Sequence, residues 1–444
     1  MADRESVLFR PMETSGRRFY LIVGLLLLGV GWAAFAYFRQ LAFGLDVTGL
    51  NRPVYWGLYI TNFVFFIGIS HAGTLVSAIL RVFGVEWRRP ITRAAEAITV
   101  FALFLGAGNI IIDMGRPDRL LNMLAYGRLE SPLVWDVVSV SIYLTASITY
   151  LYLPLIPDLA ILRERPDLAP WRRRLYTKLS LGWTGTEKQK HRLERLIGIM
   201  AVLIIPIAVS VHTVVSWVFA MTVQPMWHST IFGPYFVIGA IFSGIATLII
   251  VMAILRRAFG LHAYITDRHF SNLGLLLLVF AFLWAYFTFS EYLTEFYGNE
   301  PAGMRVLFAK LIQEFSPFFW AMWLFNFIVP FILLSNRRTR TVKGTVLTAI
   351  LINVGMWLER YNIVVPTLTR PRLPSPVVSY APTWVEWSVL LGSFCVFALL
   401  YIVFSKVFPI VSIWEVREGE EIAAHPSSAS QPAPAAPVAE AASD

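Results

Sequence analysis

The sequence is short of cysteine and short of charge. Cys395 is the single cysteine among 444 residues. This excludes a disulfide framework, a cysteine-ligated iron–sulfur cluster, a cysteine-rich zinc site and covalent c-type haem, because each needs two or more cysteines. Charged residues make up only 15% of the chain and hydrophobic residues 57%, whereas soluble domains carry roughly 25% charged residues. A chain with so few polar residues cannot cover such a large apolar core with a polar surface. A water-soluble enzyme is therefore excluded.

Long apolar runs fill most of the chain. A helix that spans a membrane needs about 20 mostly apolar residues, and ten stretches meet this requirement. They predict an all-α polytopic membrane protein with about ten transmembrane helices. The predicted spans are 19–38, 54–82, 94–114, 132–154, 194–222, 231–256, 271–297, 315–335, 344–363 and 384–408.

The basic residues predict the orientation. Most of the 37 lysines and arginines lie on the face that carries the N-terminus and the end of the tenth span, and the loop 223–230 has none. By the positive-inside rule both termini are cytoplasmic. The net charge of +9 is thus a topology signal and gives no reason to expect nucleic acid. We expect the basic loop 155–193 to set the orientation of the chain and to contact anionic lipid. The alternative is that it forms a docking surface.

Two similar segments suggest an internal repeat. The segment 78–81 closes the second span, and the segment 253–256 closes the sixth. An Ile-Thr pair begins 13 residues after the start of the first segment and 12 residues after the start of the second. This pattern predicts two four-helix bundles, with the first and tenth helices outside them. The predicted divisions are a cytoplasmic N-terminus 1–18, a first helix and outer loop 19–53, a first bundle 54–222, a second bundle 223–365, an outer loop and tenth helix 366–417, and a disordered cytoplasmic tail 418–444.

Few ionisable residues fall within the predicted spans. Such residues are costly in lipid and usually face a bundle interior or a water path. The candidates are His71, Asp113, Asp136, His212, Glu291 and Glu359. Structural explanations compete for three of them: Asp136 could complement a helix dipole, Asp113 could pair with a nearby arginine, and Glu359 could pair with its neighbour or extend its side chain to the interface.

Histidine and carboxylate in one lipid-accessible pocket are suited to quinol oxidation. The two quinol hydroxyls lose protons as the electrons leave, and a neutral imidazole or a carboxylate can accept them. Haem b is the competing cofactor. Only His71 and His212 could form an intramembrane bis-histidine pair, so a two-haem cytochrome is excluded and a single haem stays open.

Several motifs resemble the NrfD/polysulfide-reductase membrane subunits. The stretches that carry the resemblance are 68–81, 113–117, 131–136, 210–216 and 227–244. They are most similar to the ActC-type quinol-binding subunit of alternative complex III, and the ActF-type paralogue of that complex is similar too. The resemblance covers about residues 50 to 365.

The resemblance implies a site and a set of partners. It implies a quinone site near the outer face with His71, Asp113 and Asp136 as catalytic residues, and His71, Asp113 and Arg116 in contact with the quinone, expected to be menaquinone. It assigns His212, Glu291 and Glu359 to a proton path. It implies no haem or iron–sulfur cluster in this chain, and a complex in the bacterial inner membrane with an iron–sulfur subunit on the periplasmic face, multihaem cytochrome c subunits and a paralogous membrane subunit.

Two other functions stay open at this point. Intramembrane acids and glycine-rich helices also suit an ion or proton transporter without redox function. A structural ActF-like subunit with an inactive quinone pocket is the third reading.

Overall fold

All ten predicted spans are helices in the computed structural model, which describes residues 2–13, 15–166, 168–373 and 379–424. The described residues contain no strand, so the prediction of an all-α polytopic membrane protein is confirmed. The ten spanning helices are α1 (Arg17–Phe43), α2 (Leu58–Val82), α3 (Thr92–Asp113), α4 (Pro132–Tyr152), α5 (Glu187–Ala220), α6 (Phe232–Phe259), α7 (Asp267–Gly298), α8 (Ser316–Ser335), α9 (Val342–Thr369) and α10 (Trp384–Val407).

Several helices extend beyond the apolar runs that predicted them. Helix α5 begins at Glu187 rather than at 194, because the Thr186 side chain accepts the N–H of Gln189 and caps the helix in the basic loop. Helices α7 and α10 begin with capping boxes at Thr266 and Thr383. Capping residues are polar, so hydropathy alone places these helix ends too far into the membrane.

The helices pack as two four-helix bundles with two peripheral helices. Helices α2 to α5 contact one another in the first bundle, and α6 to α9 do so in the second. Helices α6 and α9 also pack against α2, which joins the two bundles. Helix α10 packs on α2 and α3 and carries α1 on its other side. We use inner and outer for the two faces according to the predicted orientation, so that α3, α5, α7 and α9 end at the outer face.

Shorter helices connect and flank the spans. They are Ala2–Glu13, Leu120–Tyr126, Leu155–Arg163, Pro170–Leu179, Pro301–Leu311 and Ile413–Ala424, with 3-10 turns at Leu45–Val47, Glu86–Arg88, Pro117–Arg119 and Leu261–Ala263. The last helix corrects the predicted tail, because residues 418–424 are helical rather than disordered. The rest of the predicted tail, 425–444, lies outside the described residues.

Buried ion pairs hold this C-terminal helix against the inner face. Asp158 is buried and accepts the first two backbone N–H groups of the helix, at 3.1 and 2.8 Å. The guanidinium of Arg93 also donates to Asp158. Glu415 pairs with Arg81 at 3.0 Å and with Arg88 at 3.4 Å. Charge and helix dipole therefore act together here, since a carboxylate is favourable at a helix N-terminus.

Candidate functional site

Two histidine rings meet inside the first bundle. His71 of α2 and His212 of α5 are fully buried, and their ring centroids lie 4.1 Å apart at an interplanar angle of 75°. His71 Nε2 lies 3.0 Å from the carbonyl oxygen of Ala208. Among the described residues, His71 Nδ1 and both ring nitrogens of His212 have no hydrogen-bond partner. Buried polar atoms normally have a hydrogen-bond partner. These three ring nitrogens are therefore available to bind a proton or a small polar molecule.

The same geometry bears on the haem alternative. Two metal–nitrogen bonds of about 2 Å each separate the ligating nitrogens by about 4 Å, and the ring centroids lie further apart still. Rings with centroids 4.1 Å apart in an edge-to-face contact leave no room for an iron and a porphyrin plane between them. His71 and His212 as they stand therefore do not fit a bis-histidine haem site.

Glycines bring α6 against α2 beside His71. A Cβ atom at Gly244 would lie 2.7 Å from the backbone nitrogen of Ala72 and 3.2 Å from the carbonyl carbon of His71. Such small residues let helix backbones approach closely in membranes. One turn of π-helix, at 74–79, follows directly along α2, and π-turns often occur at functional sites. The surroundings of His71 thus combine close packing with an irregular backbone.

Hydroxyl contacts fix the depth of His71 relative to Asp113. The Thr99 hydroxyl donates to the carbonyl of Ser70 at 2.6 Å and accepts the N–H of Gly73 at 2.9 Å, so His71 lies level with Thr99 on α3. Asp113 follows fourteen residues later on the same helix, which is about 21 Å along the axis at about 1.5 Å per residue. His71 and Asp113 therefore lie too far apart to contact the same quinol headgroup.

Asp113 belongs to a separate polar cluster at the outer end of α3. Tyr59 donates to Gln40 Oε1 at 2.7 Å, and the amide of Gln40 donates to the carbonyl of Ile112 at 2.8 Å. The Asp113 Oδ1 atom beside them is buried and has no partner among the described residues. A second carboxyl group reaches this end of the bundle through Tyr380, which accepts the N–H of Leu58, the neighbour of Tyr59, and donates to Glu386.

Glu386 anchors the start of α10 and was not a predicted site residue. It is buried and accepts the N–H of Gly49 at 2.6 Å and the N–H of Thr383 at 3.0 Å. It also accepts the hydroxyl of Tyr380, which in turn accepts the N–H of Leu58 at 2.9 Å. Burial and the charge of Glu386 raise the pKa of Tyr380, which keeps its hydroxyl a donor. The Thr-x-x-Glu capping signature was the signal that could have identified it.

Asp136 and Arg116 occupy different environments. Asp136 is buried one turn into α4, and its Oδ1 atom has no partner among the described residues. Arg116 is exposed and makes two bonds to Asp118, at 3.0 and 2.9 Å, which lowers the pKa of the Asp118 carboxyl. The arginine considered as a partner of Asp113 therefore pairs with Asp118 instead. Within the described part of the chain, no hydrogen bond or ion pair joins His71, Asp113 or Asp136 to another of the three.

Glu359 forms a buried ion pair where the two bundles meet. Its Oε2 atom lies 2.6 Å from Nη1 of Arg360, and both side chains are buried. The indole of Trp284 donates to Glu359 Oε1 at 3.0 Å. The guanidinium of Arg360 lies over the ring of Phe236 at 5.1 Å, and a Cβ at Gly239 would be 2.9 Å from its Nη2. Glu359 is thus paired inside the protein and does not extend to the interface.

Glu291 lies at the outer end of the second bundle. It is buried and accepts the hydroxyl of Ser229 at 2.5 Å. Lys310, on the helix Pro301–Leu311, is also buried and lies 5.6 Å from the ring of Tyr292. Burial lowers the pKa of Lys310 to about 8, although Glu291 and Glu295 act in the opposite direction. A buried acid and a buried base thus both lie at the outer end of the second bundle.

A further buried acid was missed in the inner half of the first bundle. Glu96 of α3 accepts the hydroxyl of Ser77 at 2.5 Å, and Ser77 lies 3.0 Å from the hydroxyl of Tyr150. Its position two residues inside the predicted span 94–114 is consistent with a buried acid. The same position is equally typical of a charged residue that flanks an apolar run. Only the packing of α2 and α4 around it identifies it as buried.

The fold and these sites define a multi-pass membrane protein with buried ionisable clusters at several depths. The family model described as "Polysulphide reductase, NrfD" matches residues 46–372. The chain therefore belongs to the NrfD family, as its motifs predict.

Relatives were found in archaea and bacteria. A protein of Halobacterium salinarum, described provisionally as a membrane subunit of dimethyl sulfoxide reductase, is 31% identical over 60% of this chain, and the aligned part spans 58% of that relative's length. A selenate reductase subunit of Mesobacillus selenatarsenatis is 24% identical over 84% of this chain and 89% of its own length. The Hdr-like menaquinol oxidoreductase integral membrane subunit of Archaeoglobus fulgidus is 22% identical over 93% of this chain and 99% of its own length.

Proposed function

We propose that this chain is the quinol-oxidising membrane subunit of a multi-subunit oxidoreductase. It takes a lipid-soluble quinol, menaquinol, near the outer face and passes the electrons to an iron–sulfur subunit docked there. The names of all three relatives place them in oxidoreductases, and one of them names menaquinol. The observation that carries the proposal is Asp113, a carboxyl group at the outer end of α3 with a buried oxygen that has no partner among the described residues.

The chemistry divides between this chain and its partners. Oxidation of a quinol to the quinone releases two protons and two electrons. A carboxylate in hydrogen-bond reach of a ring hydroxyl accepts a proton as the electrons leave, and we assign this role to Asp113, with Asp136 as a second acid and Arg116 at the mouth of the site. The electrons leave through the partner, because the single Cys395 cannot ligate a cluster.

Proton movement across the membrane forms the second part of the proposal. We assign the proton route to the pair of His71 and His212, the pair of Glu359 and Arg360, and Glu291. Each of these acids and imidazoles is buried and makes its contacts inside the protein. The unpartnered nitrogens of His212 favour this role, since a neutral imidazole can accept a proton on one nitrogen and release one from the other. The complex that we propose is of the alternative complex III type in a bacterial inner membrane, with both termini cytoplasmic, multihaem cytochrome c subunits and a paralogous membrane subunit.

An Asp113→Asn substitution tests the proposal. Loss of a general base lowers quinol-to-acceptor turnover by roughly 10²- to 10⁴-fold, measured in the assembled complex with a water-soluble quinol. The matched control is Asp46→Asn, which changes an exposed aspartate on the same outer side and should keep wild-type turnover. Wild-type turnover in Asp113→Asn removes Asp113 from the mechanism. Proton transport by the purified chain with no redox partner would instead support the transporter reading.

A further inference from the structure

A cavity of about 580 Å³ lies at the outer ends of α8, α9 and α10. Its wall is mainly aromatic, formed by Phe315, Phe318, Trp357, Tyr361, Tyr380 and Trp387. Arg370 and Glu314, which form an ion pair, also line it. Volumes of about 300 to 1,000 Å³ with apolar walls and a few polar groups are typical of small-molecule sites.

A groove continues from this cavity into the membrane. A second volume of about 260 Å³ shares Trp357 and Trp387 with the first. It follows α10 from Trp387 to Phe394, seven residues or about 10 Å, and its other lining residues include Val354. Val354 is 46% exposed and Trp387 is 49% exposed, so the groove opens directly to lipid. A ligand could therefore enter from the bilayer without crossing the bundles.

The polar groups of the cavity can bind a ligand that offers one hydrogen-bond donor and one acceptor. The oxygen of Tyr380 accepts the N–H of Leu58 and donates its hydrogen to Glu386, which leaves one lone pair for a donor from a ligand. The Nε1 atom of Trp357 is buried and has no acceptor among the described residues. The rings of Trp357 and Tyr361 are stacked, with centroids 5.9 Å apart and 17° between planes, and offer flat surfaces to a planar ring.

We propose that this cavity binds the ring of a lipid-soluble quinol, with the isoprenoid tail in the groove. The inference rests on the proposed function, and it names a binding place away from the buried pair of His71 and His212. A quinol hydroxyl donates to Tyr380, and a ring oxygen accepts from Trp357. A phospholipid fits less well, because its phosphodiester offers only acceptors and cannot donate to Tyr380, and the nearby Arg370 is already paired with Glu314.

The cavity also connects to the proposed proton acceptor. Tyr380 in its wall donates to Glu386 and accepts the N–H of Leu58. The next residue, Tyr59, is connected through Gln40 to the carbonyl of Ile112, which directly precedes Asp113. A ring held at Tyr380 therefore lies next to the outer carboxyl cluster, whereas His71 lies level with Thr99, deep in the first bundle. This placement explains how a headgroup could use Asp113 without reaching the histidine pair.

The test is photolabelling of the purified complex in lipid nanodiscs with an azidoquinone, followed by mapping of the labelled peptides. We expect labelling within 315–318, 357–370 and 379–387, and competition by an excess of short-chain quinone but not of phospholipid. Val354→Trp fills the groove from the lipid side and should lower labelling by roughly tenfold, since overpacking costs on that order. Leu347→Trp, at an exposed position two turns away on α9, is the matched control and should leave labelling unchanged. Trp357→Phe keeps an aromatic, although smaller, ring and removes the indole N–H donor, which weakens quinone binding about fivefold.

The outcomes separate the inference from the function. Labelling that falls only around residues 71, 136 or 212 overturns the cavity as a quinol site but leaves quinol oxidation standing. Equal labelling in Val354→Trp and Leu347→Trp also overturns it, as does labelling that phospholipid displaces and quinone does not. A complex that neither labels anywhere nor turns over quinol overturns the inference and the proposed function together.

Discussion

Replacing Gly244 with alanine should force the two bundles apart at His71. The added Cβ would lie 2.7 Å from the nitrogen of Ala72 and 3.2 Å from its Cα, whereas optimal contacts between carbon atoms are about 3.5 to 4.0 Å. The atoms it meets are backbone and cannot rotate away, so α6 must move by several tenths of an ångström or more. Overpacking of this kind costs about 1–3 kcal/mol.

The size of the effect is best read against Gly233→Ala on the same helix. A Cβ there would lie 3.5 Å from the Cγ2 atom of Thr213, an ordinary contact. Alanine raises helix propensity at both positions, by about 1 kcal/mol in the helix interior at Gly244 and by less at Gly233 in the first turn. Any excess loss of stability in Gly244→Ala therefore reports the clash. We expect Gly244→Ala to unfold at lower denaturant than Gly233→Ala in mixed micelles, by about 1–3 kcal/mol of unfolding free energy. If Gly244→Ala is as stable as Gly233→Ala, the close approach of α2 and α6 beside His71 is refuted.

Two further predictions concern buried titratable groups. His212→Leu removes two ring nitrogens that have no partner among the described residues, so the free energy of unfolding should change by less than about 1 kcal/mol while proton-coupled turnover falls; a large loss of stability would show that the ring is needed for packing. Burial lowers the pKa of Lys310 to about 8 from 10.5, so between these values the unfolded chain binds more protons and the stability of the folded protein rises with pH. Lys310→Met should remove this rise in unfolding titrations across that window, and an unchanged slope would contradict the assignment.

The fold could be predicted from the sequence because the bilayer imposes one strong rule. A spanning segment must satisfy its own backbone and present an apolar surface, and each of the ten apolar runs became a helix. The helix ends could not be predicted as well, because caps such as Thr186 and Thr383 lie in polar segments that hydropathy ignores. The helical residues 418–424 were missed because the helix that they continue is held through Ile413 and Glu415 by long-range contacts with Asp158 and Arg81.

The candidate site could be predicted only in part. Rare ionisable residues in apolar runs identified His71, His212, Glu291 and Glu359, and each of them is buried. Which of them meet depends on helix register and rotation, which one sequence does not contain. Asp113 lies about 21 Å from the level of His71 along α3, although both belong to the same bundle.

The anchoring of the C-terminal helix has a consequence for behaviour in salt. Dissolved ions weaken interactions between exposed charges and act much less on charges shielded from solvent. The pair between Arg116 and Asp118, with side chains 63% and 59% exposed, is the kind that concentrated salt loosens. Asp158 and Arg93, with side chains 0% and 1% exposed, should keep the inner loops and the C-terminal helix together in salt that already separates Arg116 from Asp118.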